Sequence, residues 1–179
     1  YDHKIFLNHF SLIFTIFCFL ILTNSLNFYD GINGQSCIFF ILIFSYLLIK
    51  SDMNEFYLFN IFILLFLLFL NLRNKIFLGD SGIFLVASLI SISLIYEYNY
   101  IKNIRFADEI FLLLLLPGFD LIRLTLIRII NGKNAFKGDR NHIHHLINDK
   151  IPLLYTNLIL GMLAILPIIS FLYLKLNFE

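Results

Sequence analysis

Six apolar stretches separated by short polar clusters set the organisation of the chain: residues 10–28, 37–49, 56–72, 82–98, 107–130 and 153–174. A helix needs about 20 mainly apolar residues to cross the roughly 30 Å hydrocarbon core of a bilayer. The second stretch is short and is expected to extend through Gln35 and Ser36 to Lys50. The pattern predicts an all-α, polytopic transmembrane helix bundle of about six helices, with residues 1–179 forming a single integral membrane domain.

An even number of crossings between them puts the polar segments 30–36, 73–81 and 131–151 on one face. That face carries Arg73, Lys75, Arg128, Lys133, Lys137, Arg140 and Lys150, against Lys4, Lys50, Lys102, Arg105 and Lys175 on the other. Cytoplasmic loops are enriched in Lys and Arg, so this bias, seven against five, makes the first face cytoplasmic. The fifth stretch would span about 36 Å as one straight helix, with Pro117 and Gly118 kinking it and Asp120 and Arg123 on one side.

Composition agrees with a bilayer as the main solvent. Hydrophobic residues make up 60% of the chain, charged residues only 14%, and mean hydropathy is +0.87, whereas ordinary soluble domains are about 45–50% apolar. A net charge of +1 without a basic stripe gives no reason to expect a nucleic-acid partner. Cys18 and Cys37 fall in or beside apolar segments and suggest neither a disulfide framework nor a zinc site. The richness in Phe, Ile, Asn, Lys and Tyr is what an AT-rich coding sequence writes, so single Asn or Lys residues carry little weight. The first residue is Tyr1, and the chain reads as a portion of a longer protein.

Three polar runs carry candidate chemistry. Asn24, Asn27 and Asp30 step by three residues, which keeps them on one helical face, and lead into the turn Gly31, Asn33, Gly34. Turned inward, they could bind sugar hydroxyls, a uracil or a hydrated cation; a helix end with a Gly-rich turn is the plainer alternative. In Phe77-Leu78-Gly79-Asp80-Ser81-Gly82, Asp80 could ligate Mg²⁺ together with substrate phosphate oxygens, or Asp80 or Ser81 could simply cap the following helix. The third run is Asp139-Arg140-Asn141-His142-Ile143-His144-His145. Beside Lys133 and Lys137, it reads as a diphosphate-binding surface, with a metal site or a solvated loop as competing readings.

Taken together, the Asn24, Asn27, Asp30, Gly31, Asn33, Gly34 run, the Phe77 to Gly82 run and the Asp139, Arg140, His142, Ile143, His144, His145 run resemble the polyprenyl-phosphate N-acetylhexosamine-1-phosphate transferases. Their order and spacing match, and the His-Ile-His-His form is similar to the WecA and TagO branch. The resemblance implies transfer of a sugar-1-phosphate, GlcNAc-1-phosphate by the branch, from a UDP-N-acetylhexosamine to undecaprenyl phosphate. UMP is released, Mg²⁺ or Mn²⁺ is the cofactor, and the product enters cell-envelope polysaccharide synthesis. It implies a multi-pass protein of the inner (plasma) membrane, a homodimer as one assembly, and a chain that is the C-terminal portion of the transferase. Asp80 would hold the metal, and Asp30, His142, His144 and His145 would join it in the catalytic set. Asn24, Asn27, Asn33, Lys133 and Arg140 would bind substrate. Two features depart from the family: no adjacent aspartate pair is present, and Asn33 stands where the pattern Asp-Gly-x-Asp-Gly has its second Asp. A degenerate, noncatalytic membrane protein of the same fold is therefore the alternative, with a transporter behind it.

Overall fold

A computed structural model of the chain describes residues 10–132 and 142–178, with side chains through Tyr173. The described residues are helical and contain no strand. α1 spans Ser11–Tyr29, α2 Gln35–Lys50, α3 Asn54–Leu72 and α4 Gly79–Tyr96, which runs on as a π-helical turn over Glu97–Ile101. α5 covers Ala107–Leu113, α6 Leu115–Ile130, α7 Ile143–Asn148 and α8 Leu153–Phe178.

The helical bundle is thus as the apolar pattern predicts. Four helices are long and apolar enough to cross a membrane, and a fifth span results if α5 and α6 are counted as one. α2, the remaining apolar helix, has 16 residues, which is about 24 Å. It is short because it is the core rather than the wall: Phe39, Phe40, Ile43, Phe44 and Leu47 are at most 2% exposed. α3, α4 and α8 pack around it. Their outward faces, by contrast, present Phe59, Phe62, Phe66, Leu85 and Met162, the side chains a lipid solvent tolerates.

The fifth apolar stretch departs from the straight 36 Å helix. It breaks at Leu114, and its halves are bent by 68°. Pro117 has no N–H to donate to the carbonyl four residues back, and its ring crowds that carbonyl, so the break falls in the turn before the proline. Leu114 takes up the non-helical backbone, and Gly118 N donates to Leu114 O at 3.0 Å to restart the ladder.

Candidate functional site

The turn between α1 and α2 is the hinge of the site. Gly34 has φ +88°, a left-handed conformation natural to glycine, and starts α2. Its N–H donates to Oδ1 of Asn71, and Asn71 Nδ2 donates to Ile76 O at 2.9 Å. One amide at the end of α3 therefore fastens the first polar run to the second. Asn33 Nδ2 donates to Asn74 Oδ1, and the Asn33 carbonyl accepts from Asn157 Nδ2 of α8 at 2.8 Å. Asp30, Gly31, Asn33, Asn71 and Phe77 line a small open cleft on this face.

Asp30 lies on the cleft, and Asp80 is near enough for its charge to act on it. Burial pushes the Asp30 carboxyl above the usual carboxylate range, and the negative charge of Asp80 adds to the shift. Asp80 is exposed in the first turn of α4. Gly79, with φ +62°, brings the chain into that helix, and no side chain caps it. The capping alternative for Asp80 and Ser81 is thereby set aside.

The third run reaches the first through contact of His144 with Gly31. A Cβ placed on Gly31 would lie 1.7 Å from His144 Nε2, so only a glycine admits the ring. His144 is 1% exposed, and neither ring nitrogen has a hydrogen-bond partner among the described residues. Burial, reinforced by His145 and His142, pulls its pKa down to about 3, so the ring is neutral at physiological pH. The His145 ring lies 4.3 Å from that of His144. The His142 ring lies nearly parallel to those of Phe28 and His144, and its Nδ1 is 2.9 Å from Asp120 Oδ2.

The sequence places these groups with uneven success. Asp30, Asn33, Asp80, His142, His144 and His145 come together at one end of the bundle. Asn24 does not turn inward with Asp30: it is exposed and donates to Leu20 O of its own helix at 2.7 Å. Asn27, one turn closer, is half-buried. Lys133 and Arg140, with Lys137 and Asp139, lie outside the described residues. Sequence reasoning missed Asn71 and Asn157, whose only signal was a polar residue on an apolar helix in an Asn-rich chain. It noticed Asp120 without placing it in the site.

Two groups of donors differ in what they would hold. Asp30 offers carboxylate oxygens on the open cleft, with the charge of the exposed Asp80 acting on it, and carboxylate oxygens suit a hard divalent cation. Asp120, His142 and His144 present one ligand atom each within 4.8 Å. Asp120 is already engaged, however, by His142, by Arg123 at 2.7 Å and by the backbone N–H of Ile143 at 3.3 Å. That second group reads as a hydrogen-bonded clamp.

A family model described as glycosyl transferase family 4 matches residues 2–97, more than half of the chain, and takes in the first two polar runs. No curated protein and no solved structure gives a significant match. A helical membrane bundle, two polar runs fastened edge to edge, and this match lead to one assignment: the chain belongs to glycosyl transferase family 4, whose members transfer a sugar phosphate to a lipid carrier.

Proposed function

We propose that this chain is the C-terminal portion of a transferase that moves N-acetylhexosamine-1-phosphate, GlcNAc-1-phosphate by the His-Ile-His-His branch, from a UDP-sugar to undecaprenyl phosphate. The observation that carries the reading is the convergence of three runs far apart in sequence: Gly31 packs against His144, and its neighbour Asp30 feels the charge of Asp80. The site sits on the cytoplasmic side of the inner membrane, where a UDP-sugar from water and a phosphate at the lipid headgroup level meet.

In the reaction, an oxygen of the lipid phosphate forms a bond to the sugar-bearing phosphorus. The bond from that phosphorus to the bridging oxygen breaks, and UMP leaves with the oxygen. The obstacle is repulsion between anions, so neutralising and positioning groups lower the barrier. Asp30 and Asp80 would hold a divalent cation, Mg²⁺ or Mn²⁺, which when bound supplies positive charge beside the diphosphate. The Asp30 carboxyl, raised first by burial and further by the charge of Asp80, fits that role, since a bound cation would offset both effects. His142 and His145, with Arg140 and Lys133, would bind phosphate oxygens, while Asn27 and Asn33 would bind the nucleotide sugar. Neutral, buried His144 can donate a hydrogen bond from one nitrogen and accept at the other.

The test is transfer by membranes carrying the protein expressed from its whole reading frame, given labelled UDP-GlcNAc and undecaprenyl phosphate. A lipid diphosphate sugar and UMP should form in equal amounts, and Asp80→Asn should lower the rate at least about 100-fold. An unchanged rate would remove Asp80 from the site. No product from any UDP-N-acetylhexosamine would refute the reading.

A further inference from the structure

We propose that Asp120 is a positioning residue of this site: its carboxylate holds His142 in the tautomer protonated at Nδ1, leaving Nε2 as the ring nitrogen offered to substrate phosphate. The inference rests on the transferase reading for the role of His142, but the geometry stands by itself. Asp120 Oδ2 faces His142 Nδ1 at 2.9 Å. Its other oxygen accepts from Arg123 Nη2 at 2.7 Å, from Arg123 Nε at 3.3 Å and from the Ile143 N–H at 3.3 Å. One carboxylate on α6 thus fixes both the ring and the start of the short helix carrying His144 and His145.

Three further facts fit positioning better than incidental packing. Asp120 is 3% exposed, and a charge so buried persists only where its partners are supplied. Arg123, three residues on, supplies the charge. A ring nitrogen hydrogen-bonded to a carboxylate fixes the proton on that nitrogen and so sets the chemistry of the other. The ring plane is held as well, nearly parallel to Phe28 at 6.3 Å and 18° and to His144 at 5.2 Å and 12°. Finally, α6, bent by 68° from α5 at Leu114, carries the Asp120 that reaches His142.

Two measurements test the proposal. In protein labelled with ¹⁵N-histidine, the wild-type His142 signal should report a proton on Nδ1, and Asp120→Leu should abolish that preference with the helical circular dichroism retained. In the transfer assay, Asp120→Asn should lower kcat about 100-fold, with KM for the UDP-sugar within about 3-fold, because ground-state contacts to the nucleotide are untouched. Asp120→Glu should recover part of the rate. Adding Asp120→Asn to His142→Ala should cost nothing further, the non-additivity expected of groups that act as a unit. A wild-type ring protonated at Nε2, or additive losses in the double variant, would overturn it. So would a visible Co²⁺ band that requires Asp120, His142 and His144, since the three would then be a metal centre. If wild-type protein makes no lipid product while the Nδ1 tautomer is observed, the transferase reading fails and the clamp remains.

Discussion

The two ends of the bundle both bury polar groups, and they treat them differently. At the end away from the cleft, Glu97 and Glu109 are fully buried. Glu97 accepts from Tyr57 at 2.9 Å, from Asn103 at 3.1 Å and from Ser51. Glu109 accepts from Lys50 at 3.2 Å, from the Arg105 N–H at 3.3 Å and from Tyr46. Each of these four carboxylate oxygens has a donor. At the cleft end, both nitrogens of His144 and the side-chain oxygens of Asn148 and Asn157 are buried without a hydrogen-bond partner among the described residues. An unmet buried polar atom costs roughly 1–3 kcal/mol. A finished cluster therefore belongs to the architecture, whereas an unfinished one marks where water or substrate completes the bonding.

The sharpest way to break this contrast is Gly31→Ala. Its φ is not positive, so the backbone accepts alanine; the cost comes from the Cβ that would meet His144 Nε2. The ring must leave, and the junction of the first and third runs goes with it. Transfer should fall at least about 100-fold, equivalent to about 2.7 kcal/mol, with the thermal midpoint nearly unchanged. Combining Gly31→Ala with His144→Ala should be no worse than His144→Ala alone. A wild-type rate in Gly31→Ala would show that the contact does not matter to the chemistry.

The opposite end predicts the reverse pattern. Glu97→Ala strands the donors of Ser51, Tyr57 and Asn103 in a buried pocket, and should lower stability by roughly 3 kcal/mol. The folded fraction should keep its KM for the UDP-sugar, since the two ends of α2 are about 24 Å apart. Thermal unfolding in detergent and substrate titration separate these outcomes. Loss of transfer at unchanged stability would erase the distinction between the ends.

The same asymmetry governs what the sequence discloses. Apolar runs report solvent, so the helices could be placed, and even crossings were enough to gather the segments holding Asp30, Asp80 and His144. The partners of Glu97 are another matter. Ser51 and Tyr57 lie 46 and 40 residues away, and nothing in the local pattern distinguishes a buried Glu at a helix end from a solvated one. The break at Leu114 was visible as Pro117 and Gly118, but its angle and its position before the proline depend on packing. Asn24 misled because regular spacing gives a common face, not the direction of that face. Asp120 was visible as one side of a pair with Arg123, but its tie to His142, 22 residues on, leaves no mark in the local pattern.

Asp30→Asn shifts stability by only a few degrees and gives the most direct test of an unfinished site. Burial and Asp80 raise the Asp30 pKa in the folded protein above its unfolded value. Its contribution therefore favours folding at low pH and is lost as pH rises through the folded pKa, when a carboxylate must be ionised beside another. Asparagine removes that charge, so at neutral pH the variant should unfold a few degrees above wild type while losing transfer. Below the unfolded carboxylate pKa the two midpoints should converge. Magnesium should raise the wild-type midpoint at neutral pH, because a cation between the two carboxylates relieves their repulsion, and should move the variant less. A midpoint lowered by Asp30→Asn at neutral pH would mean that the Asp30 charge is already compensated within the protein. The cleft would then be complete without a ligand, as the far end of the bundle is.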